Sequence, residues 1–359
     1  MTGGGTGGHI LPAMTVLEAL RAIAGEGLEV RWFGPENRGE RTLVEAQGVA
    51  FESIPAAPIR GRGPGKVAKG LWQLLRGTFR ARSKMRAFNA DIVFSTGGYG
   101  SFPGCVAARL LRRPLVVYLP DVEPGWAVKA EKRLATRMAT TTEAALKFLP
   151  KAKTVVTGYP VRSAFSTQTR DEARAALGLS VTDRVLVIAG ATQGAHAINE
   201  AILHGLRTLV EEMVVFHVTG KADFTDAAGY GEALGPDLSP RYHVHAYIDD
   251  LPTVMLAADL AVMRSGASTL GELPAAGLPA ILVPAGYAGG HQHGNAEWLA
   301  NGGAAVIIEE SALRALPDRI MELIGDEKRL AGMANAARAM AQPDAAKRIA
   351  ELVVEVARK

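Results

Sequence analysis

Short apolar runs, rich in β-branched residues, alternate with amphipathic segments of helical length along most of the chain. This alternation predicts parallel sheets flanked by helices. A first group of strands is predicted at Val30–Phe33, Phe51–Ile54, Asp91–Ser95, Leu115–Leu119 and Thr154–Thr157. A second group is predicted at Arg184–Ala189, Val214–Thr219, His243–Ile248, Leu260–Met263, Ala280–Val283 and Ala304–Ile308.

The alternation is interrupted near residue 160. Pro160 and the polar stretch 163–170 lack the periodicity of the flanking segments, so we place a domain boundary between residues 1–160 and 161–342. After Pro343, apolar residues recur at helical spacing up to Lys359, which predicts a C-terminal helix over 343–359 that packs back on the first domain. The predicted fold class is α/β, with two doubly wound parallel-sheet domains.

Composition narrows the class of protein. A length of 359 residues suits two domains, and 48% hydrophobic with 21% charged residues excludes a mostly disordered chain. The single cysteine, Cys105, excludes an intramolecular disulfide and is interpreted as a small core residue. With no leader-like segment and no apolar run of membrane-spanning length, we expect a cytoplasmic protein.

Glycine is unusually frequent, at 40 residues, and concentrates in loops between a predicted strand and a helix. Three such loops are 3–8, 95–101 and 189–195. Glycine lets the backbone approach a ligand, and the free amides of a helix N-terminus attract phosphate. In the third loop Thr192 and Gln193 are candidates to hold a diphosphate, and Arg162 is a further candidate. The alternative is that the loops are ordinary tight turns and that Arg162 is a solvated arginine.

The first glycine loop lacks the strand that should precede it. Gly3, Gly5 and Gly8 match the pattern G-x-G-x-x-G, which follows a central strand in a doubly wound domain. Here only Met1 and Thr2 come before Gly3. We hypothesise that Met1 is a misassigned start or a truncation within that strand.

The stretch 264–295 gathers the largest set of polar candidates. Glu272 follows a predicted strand and a turn of small residues, where its carboxylate suits a ribose diol. The alternative is a capping box formed with Thr269. His291 and His293 are two residues apart, but without cysteine partners a zinc site is disfavoured.

His9, at the start of the first predicted helix, is the candidate general base, because an imidazole can take a proton from a hydroxyl near neutral pH. The alternative is a histidine that only binds backbone groups.

Charge is distributed unevenly along the chain. The net charge is +4, but residues 1–150 carry +9 and the remainder −5. Residues 60–86 hold nine basic residues, no acidic one, and an interleaved apolar stripe that includes Trp72 and Phe79. This pattern is typical of a helix that lies on an anionic membrane surface. A solvated basic helix is the main alternative, and nucleic acid is disfavoured because no nucleic-acid module accompanies the patch.

Taken together, the motifs resemble those of the MurG-type glycosyltransferases over nearly the whole chain. They are GGGTGGH (3–9), GGYGSFPG (97–104), GYPVR (158–162), ATQGAHAINEA (191–201), YIDDL (247–251), RSGASTLGELPAAGLPAILVP (264–284) and HQHGNA (291–296). The resemblance implies a GT-B fold, with two Rossmann-like domains facing a cleft. It implies an inverting hexosyltransferase that moves N-acetylglucosamine from UDP-GlcNAc to the C4 hydroxyl of lipid I, forming lipid II. No cofactor or metal is implied.

The resemblance also assigns site residues. Glu272 would bind the ribose, the backbone of Ile248 the uracil, and Arg162 with Thr192 and Gln193 the diphosphate. The sugar would contact Ala267, Gln292 and Asn295. Within the glycine loops, the donor would contact Thr6, Gly7 and Gly8, and the acceptor diphosphate would contact Gly5, His9, Gly97, Gly98 and Tyr99. The implied location is peripheral, on the cytoplasmic face of the cell membrane, with its anionic inner surface and lipid I as partners and no nucleic acid.

Two segments depart from the family pattern. Residues 119–122 read Leu-Pro-Asp-Val where the family usually has His-Glu-Gln-Asn, and His291 precedes Gln292 where the family usually has two glutamines. The first departure lies on the acceptor side, so a related transferase acting on another lipid is the alternative function. A nucleotide-sugar binder without catalysis is a second alternative. A nicotinamide dehydrogenase is the last, with only Glu36 near the end of its second strand.

Overall fold

Fully buried apolar runs form the interior strands of two separate parallel sheets. Leu115–Leu119 and Val185–Ala189 are buried at every residue, as expected where helices cover both faces of a parallel sheet. The computed structural model describes residues 1–4, 7–35, 39–58, 63–190, 195–286 and 291–359. The chain divides into an N-terminal unit, Met1–Pro160 with Asp344–Lys359, and a C-terminal unit, Val161–Pro343.

The N-terminal unit is built on parallel strands in the order β2-β1 and β3-β4-β5-β6. Thr2 lies between the two groups, with parallel bridges to Phe33 and to Ser95. This is the position at which the sequence predicts a central strand. The strands are β1 (Arg31–Gly34), β2 (Ala50–Ser53), β3 (Val93–Ser95), β4 (Leu115–Leu119), β5 (Arg137–Thr140) and β6 (Thr154–Val156).

The helices of this unit cover both faces of its sheet. The first of them starts at Gly7, two residues before His9, so Gly7 and Gly8 of the glycine loop belong to the helix. The helices up to residue 160 are α1 (Gly7–Ala24), α2 (Glu40–Glu45), α3 (Pro64–Phe88), α4 (Phe102–Leu110) and α5 (Trp126–Leu134).

The C-terminal unit contains a six-stranded parallel sheet in the order β12-β11-β10-β7-β8-β9. Its strands are β7 (Val185–Ala189), β8 (Val214–Val218), β9 (Tyr242–His245), β10 (Leu260–Met263), β11 (Ala280–Leu282) and β12 (Ala305–Ile307). Its helices are α6 (Ala164–Thr167), α7 (Arg170–Ala176), α8 (His196–Glu212), α9 (Phe224–Glu232), α10 (Leu251–Ala257), α11 (Thr269–Ala276), α12 (His291–Asn301), α13 (Leu316–Gly325) and α14 (Glu327–Ala339).

The last helix, α15 (Ala345–Ala357), packs on the N-terminal unit. Its buried residues Ile349, Leu352 and Val356 join Leu17 and Leu20 of α1 in one hydrophobic cluster. A second cluster on the other side of the same sheet contains residues of α3, α4 and β3. The C-terminal segment therefore completes the core of the unit that begins the chain.

Two strand predictions were wrong. β5 was missed because only Met138 and Ala139 are apolar in it, and it forms because β4 and β6 supply hydrogen-bond partners on both sides. β9 ends at His245 instead of Ile248, which leaves Ile248 in the loop before α10.

Candidate functional site

Two glycine segments lie against each other at the carboxyl-end edge of the sheet in the N-terminal unit. Gly98 has φ +87°, and a Cβ added there would lie 1.9 Å from the carbonyl oxygen of Gly4. No other residue type fits both the backbone conformation and this close approach. Gly97 has φ +81° and packs against Val128 of α5. The segment after Gly4 leads into α1 and the turn at Gly97–Gly98 leads into α4.

His9 links the two glycine segments. Its Nδ1 lies 2.9 Å from the carbonyl oxygen of Thr96, and the Thr96 hydroxyl donates to the His9 carbonyl at 2.7 Å. Because a carbonyl can only accept, Nδ1 is the protonated nitrogen, and in the neutral ring Nε2 is then the unprotonated one. This is the tautomer that a general base at Nε2 requires. The contact equally satisfies the alternative in which His9 only binds backbone.

The remaining candidates near the two glycine segments are Tyr99, assigned to the acceptor, and Gly7 and Gly8, assigned to the donor. Tyr99 is half-buried in the turn beside Gly98, and Gly7 and Gly8 form the first residues of α1. The N-terminal amides of such a helix favour an anion. Gly5 and Thr6 lie outside the described residues.

In the C-terminal unit, an ion pair between the partly exposed Arg162 and the buried Glu272 lies near the carboxyl ends of β9 and β10. The Arg162 guanidinium donates through Nη2 to Glu272 Oε1 at 3.3 Å and through Nη1 to the carbonyl of Asp249 at 3.2 Å. Burial raises the pKa of Glu272, and the nearby Arg162 guanidinium opposes this shift. The structure thus brings Arg162 and Glu272 together with the loop that contains Ile248.

The alternative interpretation of Glu272, a capping box formed with Thr269, is wrong. Thr269 is the first helical residue, and its hydroxyl donates to the carbonyl of Gly266 at 2.7 Å. The Glu272 side chain instead turns to Arg162 and Ser268. Glu272 is therefore held by Arg162, 110 positions away, and by Ser268 at the start of its own helix, and not by Thr269.

The candidates for the sugar lie around the ends of β10 and β11. Gln292 accepts the Ala285 amide at 2.9 Å, and the buried Asn295 donates to the Ser265 carbonyl at 3.0 Å. Ala267 lies half-buried in the turn after β10. Within the described part of the chain, the buried hydroxyl of Ser265 has no hydrogen-bond partner, so an unsatisfied polar atom lies beside these residues.

Ile248 is half-buried in the loop between β9 and α10. Among the described residues, no hydrogen bond engages its backbone amide or carbonyl. Thr192 and Gln193 lie outside the described residues.

His293 contacts Glu309 at 3.3 Å, and the described residues include no group of three or more potential metal ligands.

α3 exposes a set of large apolar side chains on one side, which we term the apolar face of α3. Their exposed fractions range from 48% to 59%, and exposed basic residues such as Lys69, Arg76 and Arg80 lie among them. The members of the face are Leu71, Trp72, Leu75 and Phe79. Among the described helices, none is long and apolar enough to cross a membrane.

Comparison with known proteins decides the family. The N-terminal domain of glycosyltransferase family 28 matches residues 1–140, and the C-terminal domain of that family matches residues 184–349. A Roseiflexus sp. (strain RS-1) protein named UDP-N-acetylglucosamine--N-acetylmuramyl-(pentapeptide) pyrophosphoryl-undecaprenol N-acetylglucosamine transferase is 35% identical, covering 98% of this chain and 93% of its own length. A protein of the same name from Symbiobacterium thermophilum is 36% identical, covering 100% and 96%. This chain belongs to the MurG-type glycosyltransferases of family 28.

Solved structures agree with this assignment. The crystal structure of MurG from Acinetobacter baumannii superimposes with a TM-score of 0.76 at 28% identity, covering 99% of this chain and 98% of that one. A glycosyltransferase of kitacinnamycin, at 15% identity and a TM-score of 0.70, shares the fold alone. The predicted GT-B class, with two Rossmann-like domains, is thereby confirmed.

Three features of this MurG-type chain were not predicted from its sequence. They are the link between His9 and Thr96, the donation from Arg162 to Asp249, and a buried glutamate on α5, Glu131. Only Glu131 had a signal in the sequence, because it occupies the same helical face as Val128 and Ala135 in an otherwise amphipathic segment. The other two contacts join segments 87 residues apart.

Proposed function

We propose that this chain transfers N-acetylglucosamine from UDP-GlcNAc to the C4 hydroxyl of the muramoyl-pentapeptide of lipid I, with inversion at the anomeric carbon, to give lipid II. The observation that carries this proposal is the similarity over the full length to enzymes that bear this activity in their names. The anomeric carbon loses its bond to the UDP oxygen, which leaves with the electron pair. The same carbon gains a bond to the acceptor oxygen, whose proton passes to a base.

The donor is assigned to the C-terminal unit. Glu272, buried and charge-paired, accepts hydrogen bonds from the ribose hydroxyls, and the unengaged backbone of Ile248 pairs with the uracil edge. Arg162, which lies between them, turns to the diphosphate, since a guanidinium binds phosphate oxygens in a bidentate manner. Thr192 and Gln193 complete the diphosphate contacts, and Ala267, Gln292 and Asn295 contact the sugar. Thr6, Gly7 and Gly8 are assigned to the donor as well.

The acceptor is assigned to the glycine segments of the N-terminal unit. Gly5, Gly97, Gly98 and Tyr99 form its diphosphate site, in which Gly97 contributes the shape of the turn because its amide donates to Ser95 Oγ. His9 takes the proton of the attacking hydroxyl at Nε2, because its Nδ1 proton is already committed to Thr96. A positioned base of this kind contributes roughly a hundredfold to ten-thousandfold to the rate.

Incubation of the full chain with UDP-GlcNAc and a lipid I analogue is expected to release UDP and to form the disaccharide product. The same reaction with diacylglycerol or another isoprenoid-linked sugar tests the alternative acceptor, which the Leu-Pro-Asp-Val segment at 119–122 favours. If the chain turns over one of those acceptors faster than the lipid I analogue, that acceptor replaces lipid I in the proposed reaction. Binding of UDP with no transfer to any acceptor supports a binder without catalysis.

The apolar face of α3 is assigned to the cytoplasmic membrane surface. Exposed aromatic and aliphatic side chains surrounded by lysine and arginine suit an interface that is apolar below and anionic above. The chain is expected to float with vesicles that contain phosphatidylglycerol and to remain behind with pure phosphatidylcholine. Trp72→Ala is expected to lower the bound fraction severalfold, and the control Tyr230→Ala, which removes an aromatic side chain that is 50% exposed on α9, is not. If both variants bind the phosphatidylglycerol vesicles equally well, the apolar face of α3 is not the membrane-binding surface.

A further inference from the structure

A buried carboxyl group lies directly behind the glycine turn at Gly97–Gly98. Glu131, on α5, is 0% exposed. Its Oε2 accepts the Ser95 hydroxyl at 3.0 Å, and its Oε1 lies 2.5 Å from the hydroxyl oxygen of Ser101. Ser95 and Ser101 are the two ends of the glycine segment. None of the motifs that carry the family resemblance includes Glu131.

Each serine hydroxyl also forms a hydrogen bond with a glycine of the turn. The Gly97 amide donates to Ser95 Oγ at 3.1 Å, and the Ser101 hydroxyl lies 2.7 Å from the Gly98 carbonyl oxygen. Both glycines have positive φ, a conformation that glycine adopts readily. Glu131 therefore reaches both residues of the turn through one intervening hydroxyl each.

The number of available protons limits which groups donate and which accept in these hydrogen bonds. Ser101 has one hydroxyl proton and two close oxygens, Gly98 O and Glu131 Oε1. One proton serves only one of these oxygens at a time, and one arrangement gives it to the Gly98 carbonyl, which can only accept. The short contact to Glu131 is then satisfied when the carboxyl group is protonated and donates to Ser101. Ser95 can donate to Oε2 while it accepts from Gly97, so both arms of the carboxyl group are used.

The surroundings favour this neutral form. Burial raises the pKa of Glu131 to about 7, and its hydrogen bonds with Ser101, Ser95 and Cys105 oppose this shift only in part. The titratable group that faces Glu131 from α4 is the Cys105 thiol, whose own pKa burial raises. The buried Met1 amine lies close enough to act on that thiol.

We propose that Glu131 is a positioning residue for the acceptor: it holds the turn at Gly97–Gly98 in the shape that binds the acceptor diphosphate. The ligand class is a prenyl diphosphate that carries a sugar. This inference rests on the proposed function, because that proposal assigns the acceptor to this turn. It adds a residue outside the family motifs and predicts an effect on one substrate only.

Two substitutions of Glu131 separate positioning from charge. Glu131→Gln keeps a donor for Ser101 and an acceptor for Ser95, so both Michaelis constants are expected to stay within about threefold of wild type. Glu131→Leu removes both contacts, so the KM for the lipid I analogue is expected to rise about tenfold while the KM for UDP-GlcNAc stays unchanged. Amide hydrogen exchange across 95–101 is expected to accelerate in Glu131→Leu and not in Glu131→Gln.

The neighbouring Lys132→Met is the matched control. It removes a bond from the same helix to the Phe148 carbonyl at 2.8 Å without touching the turn, and it is expected to leave the acceptor KM unchanged. If Glu131→Leu does not fold, Ser101→Ala tests the arm to Gly98 alone, with the same selective rise in acceptor KM. An equal rise in both KM values, or a Glu131→Gln variant as impaired as Glu131→Leu, overturns the inference.

Direct binding distinguishes failure of this inference from failure of the proposed function. If wild type does not turn over lipid I, the proposed function fails. Titration with farnesyl diphosphate then still compares wild type with Glu131→Leu. Binding about tenfold weaker in Glu131→Leu supports the positioning role. Equal binding, or no binding to either protein, overturns it.

Discussion

The two candidate sites are built from different materials. In the N-terminal unit the elements that we propose to face the acceptor are mainly backbone, at Gly97 and Gly98, and the side chains of His9 and Glu131 contact this region through Thr96, Ser95 and Ser101. In the C-terminal unit the elements that we propose to face the donor are mainly side chains, foremost Glu272 and Arg162, which form an ion pair with each other. A backbone site depends on shape, and a side-chain site depends on charge and hydrogen-bond partners. Adding or removing a small side-chain group should therefore change kcat and KM differently in the two units.

The largest effect is expected from Gly98→Ala. Its Cβ would meet the Gly4 carbonyl oxygen at 1.9 Å at a φ of +87°, so the two segments must separate. We expect kcat/KM to fall by about a thousandfold, equivalent to about 4 kcal/mol of transition-state stabilisation. Gly25→Ala is the control, because Gly25 also has positive φ but no atom within 4 Å of an added Cβ. Similar losses in both variants would mean that backbone strain and not the contact between the segments matters.

The next effect is expected from His9→Ala. Removing the base should lower kcat about a hundredfold or more and leave the KM for UDP-GlcNAc nearly unchanged. Thr96→Val removes the hydroxyl donated to the His9 carbonyl but keeps the imidazole and the carbonyl that orients it. We expect Thr96→Val to lose less than tenfold in kcat. Wild-type turnover in His9→Ala would make His9 a backbone-binding residue only.

In the side-chain site, Glu272→Ala should raise the KM for UDP-GlcNAc about tenfold, with a smaller change in kcat, because it removes the ribose acceptor and a partner of Arg162. Glu322→Gln serves as the control, since Glu322 pairs with Arg319 and Arg329 on the surface of the same unit. Initial rates over a range of UDP-GlcNAc concentrations measure both constants. An unchanged donor KM would remove Glu272 from the donor site.

The smallest effect on activity is expected from Glu131→Gln, whose consequence lies in stability. The pKa of Glu131 is raised from 4.5 to about 7 in the folded chain, so the folded state binds more protons than the unfolded state between these values. Stability contributed by the neutral carboxyl group is present below pH 4.5 and is lost as the pH rises to about 7. Relative to Glu131→Gln, wild type should therefore lose about 3 kcal/mol in its free energy of unfolding across this range.

Urea unfolding of both proteins at pH 5 and at pH 8 measures this difference. The comparison between the two proteins removes the contributions of other titrating groups that they share. A parallel change of stability with pH in wild type and Glu131→Gln would place the carboxylate, and not the acid, behind the glycine turn.

Much of the fold could be predicted because its signals are local. Continuous apolar runs such as Leu115–Leu119 predict interior parallel strands, since both faces of such strands are buried. The strand β5 gave no such signal, because two of its four residues are polar and its neighbours supply its hydrogen bonds. The capping box with Thr269 does not form for a related reason. The Glu272 carboxylate pairs with Arg162, which lies 110 residues away in the sequence and gives no local signal.

By itself the sequence determined the α/β class, the placement of glycine at the ends of strands, and the set of motifs that assigns the family. Those features depend on periodicity and residue type within short segments. Only the tertiary structure decided that Gly98 lies against Gly4, that Arg162 binds Glu272, and that Glu131 supports the turn from behind. Each of these contacts joins elements far apart in sequence, and the folded chain brings them together because parallel strands end at the same edge of a sheet.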